Sequence, residues 1–287
     1  RNLFIMAQGT NKDDVMRREI MKMEDSQKVS LGVLKQIAAV CEQEGFRYTL
    51  AYGTLIGTIR HQGFIPWDDD IDIQMPRPDY ERFIRYMVEH PLPNLKTFNH
   101  KYVKGYPLGI SRIADMRYKV EEKILKGHCD MGIFVDVYPI DGLANTYEDA
   151  KKAYSITDKP RANLLRIINK QQRRIRIGQL FTNPRYFLSN IILRIKGLGR
   201  IQDELERAVT QRAFGNSTFV GVPNWNWIRL VYKRAWYEEF VKAPFEDSEF
   251  YISKYYDDIL RAEYGDYMRL PPVEKRVYHH GYIAYKR

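Results

Sequence analysis

The feature that most constrains this fold is an acidic segment, residues 67–73 (WDDDIDI), whose second half alternates aspartate and isoleucine. Side chains alternate between the two faces of a β-strand, so the pattern predicts Asp68, Asp70 and Asp72 on one face and the isoleucines on the other. Like charges on one face repel each other, and a bound cation removes that cost. Ligand sets made only of carboxylate oxygens favour Mg²⁺ or Mn²⁺ over zinc. The alternative is a solvated acidic turn, which the intervening isoleucines argue against.

A glycine-containing segment lies directly before the acidic one. Residues 46–52 alternate in polarity like a half-buried strand, Gly53 and Thr54 interrupt that pattern, and residues 55–60 are predicted to begin a helix. The N–H groups and the dipole at a helix N-terminus favour a phosphate group. Arg60 follows one to two turns later and is expected to reach the same anion.

A third carboxylate lies much further along the chain, within the apolar run IFVDVY around Asp136. An unpaired charge inside such a run is costly, so Asp136 needs a partner. A metal ion shared with Asp70 and Asp72 is one candidate, and a salt bridge to Arg112 is the other.

The remaining periodicity predicts helices and strands around these residues. Strands are predicted over residues 108–114 and 133–138, with a turn over 139–142. Helices are predicted over residues 26–41, 78–90 and 248–263.

A basic region follows residue 146. Between residues 159 and 200, lysine and arginine are interleaved with apolar residues, and no aspartate or glutamate interrupts them. This composition predicts basic amphipathic helices, interpreted either as a solvated face over a core or as a surface for an anionic membrane or polymer. The net charge of +10 favours anionic partners. No recognised nucleic-acid-binding module is present, so nucleic acid is not an expected partner.

Other residues narrow the class of protein. No apolar run reaches the length of a membrane span, and Cys41 and Cys129 form no metal-type cluster with the six histidines, which favours a reduced, cytoplasmic setting. The aromatic segment 221–227 (GVPNWNW) fits core packing, stacking on a base or sugar, or a cage for a quaternary ammonium group.

A glycine segment at a helix start, paired aspartates and a distant third aspartate are the parts of a nucleotidyltransferase-like site. In phosphoryl-type transfer, metal ions neutralise phosphate oxygens and a carboxylate helps to deprotonate the attacking hydroxyl. Asp70 and Asp72 are the predicted metal pair, and Asp136 completes the site. The pattern leaves Asp68, Asp136 and Asp141 open as the base.

Three separated motifs resemble the LicD family of phosphocholine transferases, and the first is also similar to fukutin-type ribitol-phosphate transferases. They are residues 52–73, residues 135–142 (VDVYPIDG), and residues 264–272 together with His279. The resemblance implies an α/β (α+β) fold with a nucleotidyltransferase-like core, in which a mixed sheet is flanked by helices. The predicted divisions are a flexible tail over residues 1–15, the catalytic core over 16–145, a basic amphipathic helical insertion over 146–215, and a C-terminal helical region packing on the core over 216–287.

The resemblance also implies an activity. Phosphocholine would move from CDP-choline to a sugar hydroxyl of a bacterial surface glycan, such as a lipid-linked teichoic acid or lipopolysaccharide precursor. The expected location is the cytoplasm, with peripheral contact on the inner face of the plasma membrane. Carried over by position, the catalytic metal ligands would be Asp70, Asp72 and Asp136. The nucleotide or its phosphates would be held by Gly53, Thr54, Arg60 and Arg112.

Two alternative functions stay open. The first is transfer of another phosphoalcohol, namely glycerol, ribitol or ethanolamine phosphate, from its CDP-activated donor. A trimethylammonium group favours an aromatic cage, whereas a polyol favours hydrogen-bonding groups. The second is a non-catalytic polyanion-binding protein.

Overall fold

A computed structural model of the chain describes residues 19–169, 182–225, 229–277 and 282–287. The predicted tail over residues 1–15, the middle of the basic region, Trp227 and His279 lie outside the described residues. Within the described part of the chain, no helix has both the length and the apolar composition needed to cross a membrane.

The core of the described chain is an eight-stranded mixed sheet, accompanied by a separate two-stranded hairpin. The sheet strands are β1 (Thr49–Leu50), β2 (Asp72–Pro76), β3 (Leu95–Phe98), β4 (Ser111–Glu121), β5 (Met131–Ala144), β6 (Phe219–Gly221), β7 (Tyr232–Lys233) and β10 (Ile283–Lys286). The hairpin strands are β8 (Phe240–Phe245) and β9 (Ser248–Ser253).

Strand β5 is the centre of the sheet. It pairs in parallel with β2 and antiparallel with β4, while β1 extends the sheet beyond β2. Strands β3 and β10 both pair with β4, and β6 pairs with the end of β5 and with β7. All fourteen residues of β5 are buried, as expected for a strand covered on both faces.

Six α-helices of the described chain surround this sheet: α1 (Met23–Glu44), α2 (Tyr52–His61), α3 (Arg77–Glu89), α4 (Tyr147–Ile168), α5 (Pro184–Val209) and α6 (Tyr256–Tyr264). Helix α1 buries Val33, Leu34 and Ile37 at helical spacing. Gly45 ends it with φ 67°, in the left-handed region where glycine carries no Cβ penalty. The mixed sheet flanked by helices confirms the predicted fold class.

Two predictions near the acidic segment, one of a strand and one of a helix, were wrong in their bounds. Strand β2 begins only at Asp72, because Pro66 lies in a turn closed by the Asp68 N–H donating to the Ile65 carbonyl at 2.9 Å. Asp68 and Asp70 therefore precede the strand. Helix α2 already begins at Tyr52, so Gly53 and Thr54 belong to its first turn instead of to a turn before it.

Two further predictions were wrong in type. The predicted turn over residues 139–142 is instead the continuation of β5, because Asp141 and Gly142 pair with β6. The predicted helix over residues 248–263 is strand β9 followed by α6. Phe250 and Ile252 alternate with more exposed residues in β9, which is the period of a strand and not of a helix.

Candidate active site

Three charged side chains lie side by side on adjacent strands. Asp72 of β2 is the register partner of Asp136 of β5, and Asp136 is the register partner of Arg112 of β4. Register partners project to the same face of a sheet, so all three side chains share one face. The strand order thus assembles residues that are widely separated in the sequence.

Asp70, Asp72 and Asp136 form a buried acidic cluster, called the acid trio below. One carboxylate oxygen of each lies within 4.8 Å of those of the other two. Burial, then the neighbouring charges of Asp70 and Asp136, raise the pKa of Asp72 well above its usual range. Asp72 Oδ1 is buried and has no hydrogen-bond partner among the described residues. An oxygen-only set with an orphaned buried oxygen fits Mg²⁺ or Mn²⁺.

Arg112 holds Asp136 in this cluster. Its Nε donates to Asp136 Oδ1 at 2.6 Å and its Nη1 donates to Glu122 Oε2 at 2.6 Å. Its guanidinium carbon lies 3.7 Å from the centre of the Phe134 ring. Burial opposes the positive charge, but Asp136 and Glu122 outweigh it and raise the pKa of Arg112. Of the two partners predicted for Asp136, the structure contains the salt bridge to Arg112. A metal ion shared with Asp70 and Asp72, and direct phosphate contact by the enclosed Arg112, stay predictions.

The first turn of α2 packs against the start of β2. The Asp72 N–H donates to Thr54 Oγ1 at 2.9 Å, so the Thr54 hydroxyl fixes the backbone of a trio residue. The Asp68 carboxylate lies directly over Gly53, where a Cβ atom would overlap it. Gly53 thus leaves room for a carboxylate at the helix N-terminus, where the helix dipole favours negative charge. A phosphate contact of Gly53 or Thr54 stays a prediction.

Arg60 lies near the other end of α2, about 10 Å along the helix axis from Gly53. Its Nη1 donates to the Tyr267 carbonyl at 2.8 Å. Burial, and next the charge of Arg276, lower the pKa of Arg60. Arg276 was not predicted from the sequence; its guanidinium lies 5.6 Å from the centre of the Trp67 ring. Two neighbouring guanidinium groups form a place where an anion would relieve repulsion.

Aromatic rings adjoin the acid trio on β5. Tyr138 is two residues after Asp136, so it projects to the same face, where its side chain opposes the larger effect of burial on the pKa of Asp72. The Tyr138 ring meets the Tyr52 ring edge-on at 5.2 Å and the Trp225 ring at 6.0 Å. The sequence reasoning missed Tyr138, although its two-residue spacing from Asp136 would have revealed it.

The three candidate bases have different surroundings. Asp141 forms a bidentate salt bridge with Arg77, with N–O distances of 2.6 and 2.7 Å, and is buried away from the trio. Asp136 accepts hydrogen bonds from Arg112. Asp68 is half-buried, and its carboxylate lies within reach of Asp70.

Comparison with known proteins agrees with this geometry. Residues 45–159 match the sequence model of the family described as LicD/FKTN/FKRP, nucleotidyltransferase domain. The lipopolysaccharide cholinephosphotransferase LicD of Haemophilus influenzae is 29% identical over 272 residues, which cover 92% of this chain and 98% of that protein. An uncharacterized protein of Rickettsia typhi is 32% identical over 111 residues, which cover 38% of this chain and 33% of that protein. The family match contains the acid trio and helix α2, and together with the 29% identity to LicD it supports placing the chain among the LicD-type transferases.

Proposed function

We propose that this enzyme transfers phosphocholine from CDP-choline to a sugar hydroxyl of a bacterial cell-surface glycan precursor. The observation that carries the proposal is the acid trio, with Asp72 and Asp136 on adjacent strands and Asp70 just before β2, inside the segment that matches the LicD family. The similarity to a lipopolysaccharide cholinephosphotransferase along almost its whole length supports a lipopolysaccharide-type acceptor. A teichoic acid precursor is the other acceptor class.

Asp70, Asp72 and Asp136 would hold Mg²⁺ or Mn²⁺. The cation would neutralise charge on the phosphate oxygens of the donor. Arg112 holds Asp136 in place by charge-assisted hydrogen bonds, and Thr54 fixes the backbone of Asp72. These contacts preorganise the carboxylates, which reduces the reorganisation needed when the donor binds.

The transfer is a substitution at phosphorus. The acceptor hydroxyl oxygen forms a bond to the phosphorus of the phosphocholine group, the bond from that phosphorus to the bridging oxygen breaks, and CMP leaves. The hydroxyl proton passes to a carboxylate. Asp68 is our candidate for this base because it is half-buried beside Asp70, whereas Asp141 is enclosed in its pair with Arg77.

Choline is favoured over a polyol by the rings next to the trio. Tyr52 and Tyr138 present aromatic surface beside Asp72, and such surface attracts a trimethylammonium group. Tyr52 has φ 48°, a conformation that costs a bulky residue about 1–3 kcal/mol. Strain of this kind is concentrated at functional sites, which supports a role for the Tyr52 ring in binding.

Peripheral membrane contact is proposed for the first half of α5. Leu188, Ile192 and Ile195 are 58, 47 and 75% exposed and follow each other at helical spacing, which forms an apolar stripe. Exposed arginines flank the stripe at positions 185 and 194. Binding to anionic vesicles in a flotation assay should fall with added salt, and Ile195→Asp should weaken it. An absence of binding at low salt would contradict this contact.

The activity is tested by incubating the protein with CDP-choline and a lipopolysaccharide acceptor and detecting phosphocholine on the glycan by mass spectrometry. We expect transfer with Mg²⁺ or Mn²⁺, loss of transfer in EDTA, and restoration by added metal. CDP-glycerol and CDP-ribitol serve as matched donors, because their alcohol groups carry no positive charge. Full activity in EDTA would exclude the metal-dependent mechanism, and equal use of CDP-glycerol would favour the other phosphoalcohols.

A further inference from the structure

A cavity of about 140 Å³ lies between helix α4 and the loop that follows β6. Its walls are mostly apolar and include Leu108, Leu164 and Ile168, together with the side chains of Asn224 and Trp225. An engineered protein cavity of about 150 Å³ accepts a benzene molecule. The space therefore has the size of a single six-membered ring.

Asn224, one of the residues that line this cavity, has a buried hydrogen-bond acceptor. Asn224 is only 4% exposed, and its Nδ2 donates to the Gly109 carbonyl at 2.7 Å. Because only the NH₂ group can donate to a carbonyl, this bond fixes which way the amide faces. The Oδ1 atom is buried and has no hydrogen-bond partner among the described residues. A buried acceptor left without a donor is costly, so the geometry favours a ligand that brings an N–H or O–H group.

Two more wall residues narrow the class of ligand. Arg161 also lines the cavity; its Nη2 donates to Asp158 at 3.2 Å, and a guanidinium has five N–H donors in all, a group that matches a carbonyl oxygen. The Trp225 indole offers a flat surface for a ring. The cavity is also close to the acid trio. The Trp225 ring lies 6.0 Å from the ring of Tyr138, which is two residues from Asp136 of the trio. Gly109 precedes Arg112 by three residues, so their Cα atoms are at most about 10 Å apart.

We propose that this cavity binds the cytosine ring of the donor nucleotide; this inference rests on the proposed function. The cytosine amino group donates to Asn224 Oδ1, its carbonyl oxygen accepts from Arg161, and the ring packs against Trp225. Uracil presents a carbonyl oxygen where cytosine has its amino group, so it would place two acceptors together. A purine is larger than the single ring that the cavity admits.

The first test compares CMP with UMP on the unaltered protein by isothermal titration calorimetry. Neither probe contains choline, so the measurement reports on the base alone. We expect CMP to bind at least about tenfold more tightly than UMP, because a site built to hydrogen-bond an N–H group rejects an analogue that lacks it. Equal affinity, or tighter binding of UMP, would overturn the proposal.

Two variants locate the base. Asn224→Leu removes the acceptor and is expected to bring the CMP and UMP affinities within about twofold of each other, with a raised KM for the donor. Ile168→Phe fills the cavity and should weaken both nucleotides at least about tenfold. Ile156→Phe is the matched control, because Ile156 lies on the same helix but is 46% exposed and outside this cavity. Thermal unfolding of each variant verifies that it folds. A full CMP preference in folded Asn224→Leu would place the base elsewhere.

The outcomes separate this inference from the proposed function. If CMP selectivity depends on Asn224 but no phosphocholine is transferred, the pocket stands and the proposed activity fails. If phosphocholine is transferred but CMP and UMP bind equally, the activity stands and the pocket fails. A short alkyl alcohol tests an alkyl chain as the alternative occupant of this apolar cavity. If the alcohol does not compete with CMP, the alkyl chain is excluded; if it competes and CMP is not preferred over UMP, the proposal is overturned.

Discussion

Strands β2 and β5 carry two buried charge clusters that differ in how their charges are balanced. At one end lies the acid trio, in which Asp72 and Asp136 are register partners. At the other end Arg77, directly after β2, forms its bidentate pair with Asp141 of β5 and also bonds Glu206 of α5 at 3.1 Å. The second cluster, called the Arg77 cluster below, combines two acids with one buried cation, whereas the trio places three acids beside one buried cation, Arg112, which bonds Asp136.

The difference separates a structural role from a chemical one. In the Arg77 cluster, burial opposes the charge of Arg77, but Asp141 and Glu206 outweigh it and raise the Arg77 pKa. Both Asp141 oxygens accept from Arg77, although burial still raises the Asp141 pKa from 3.8 to about 6. In the trio, burial and the like charges of Asp70 and Asp136 together raise the pKa of Asp72, which means that the folded chain holds these acids together against their repulsion. Carboxylates held in this way favour binding of an external cation.

The largest effect is expected from removing one charge of the trio. Asp72→Asn should lower kcat about a thousandfold or more, because the several kcal/mol that a bound metal contributes at the transition state would be lost. The same variant should raise the apparent Tm of the metal-free protein, because repulsion is relieved, and abolish the rise in Tm that Mn²⁺ causes in the unaltered protein. Differential scanning fluorimetry with and without Mn²⁺, beside a transfer assay, measures both. Unchanged transfer activity would show that Asp72 is not needed as a metal ligand, and unchanged Mn²⁺ stabilisation would place the metal elsewhere.

The matched change in the Arg77 cluster should act on stability instead. Arg77→Met leaves Asp141 and Glu206 buried without their main cation, which is expected to cost about 3–5 kcal/mol of unfolding free energy. Urea unfolding measures the loss. Arg82→Met is the control on the same helix, because Arg82 is 58% exposed and its pair with Asp79 should contribute under about 1 kcal/mol. A similar loss in both variants would show that the Arg77 cluster is no more important to stability than a surface pair.

A buried carboxylate outside both clusters, Glu263 of α6, tests through the pH dependence of stability how burial alone acts on an acid. Its Oε1 accepts from the Tyr232 hydroxyl at 2.6 Å, and burial raises its pKa from 4.5 to about 7. The folded chain thus binds a proton more tightly than the unfolded chain does. The resulting stability is fully present below pH 4.5 and is lost as the pH rises from there through about 7, a change of about 3 kcal/mol. Urea unfolding between pH 5 and 8 measures this change, and the Glu263→Gln protein should no longer show it. A free energy of unfolding that depends on pH in the same way in both proteins would contradict the raised pKa of Glu263.

The sequence predicted which acidic residues come together better than it predicted the contacts that hold them. Asp70 and Asp72 could be recognised because aspartates at a two-residue spacing precede apolar residues, and Asp136 because it is a lone charge in an apolar run. The pairing of Asp136 with Arg112 stayed open, because strand order depends on contacts between distant segments. Such a choice is made by packing and not by local periodicity.

The incorrect predictions have the same physical origin. Residues 139–142 contain Pro139 and Gly142, which favour a turn locally, but pairing with β6 extends the strand through them. The link from Arg77 to Glu206 depends on where α5 packs, which no local pattern specifies. Tyr138 was within reach of sequence reasoning, whereas Arg276 and Asn224 acquire their surroundings only from the tertiary fold.

The smallest of these effects is expected from changing Arg112, the arginine that bonds Asp136 of the trio. Arg112→Lys keeps the charge beside Asp136 but loses the geometry that donates to Asp136 and Glu122 together. Because Arg112 acts by orienting a proposed metal ligand, we expect a 10- to 100-fold loss of metal affinity or activity. Raising the Mn²⁺ concentration should recover part of the activity, a response that simple unfolding would not give. Arg117→Lys is the matched control on the same strand, because its guanidinium is mostly exposed and pairs with Asp115. An Arg112→Lys protein with unchanged Mn²⁺ dependence would mean that Asp136 keeps its position without Arg112, and the charge balance of the trio would then be set by Asp70 and Asp72 alone.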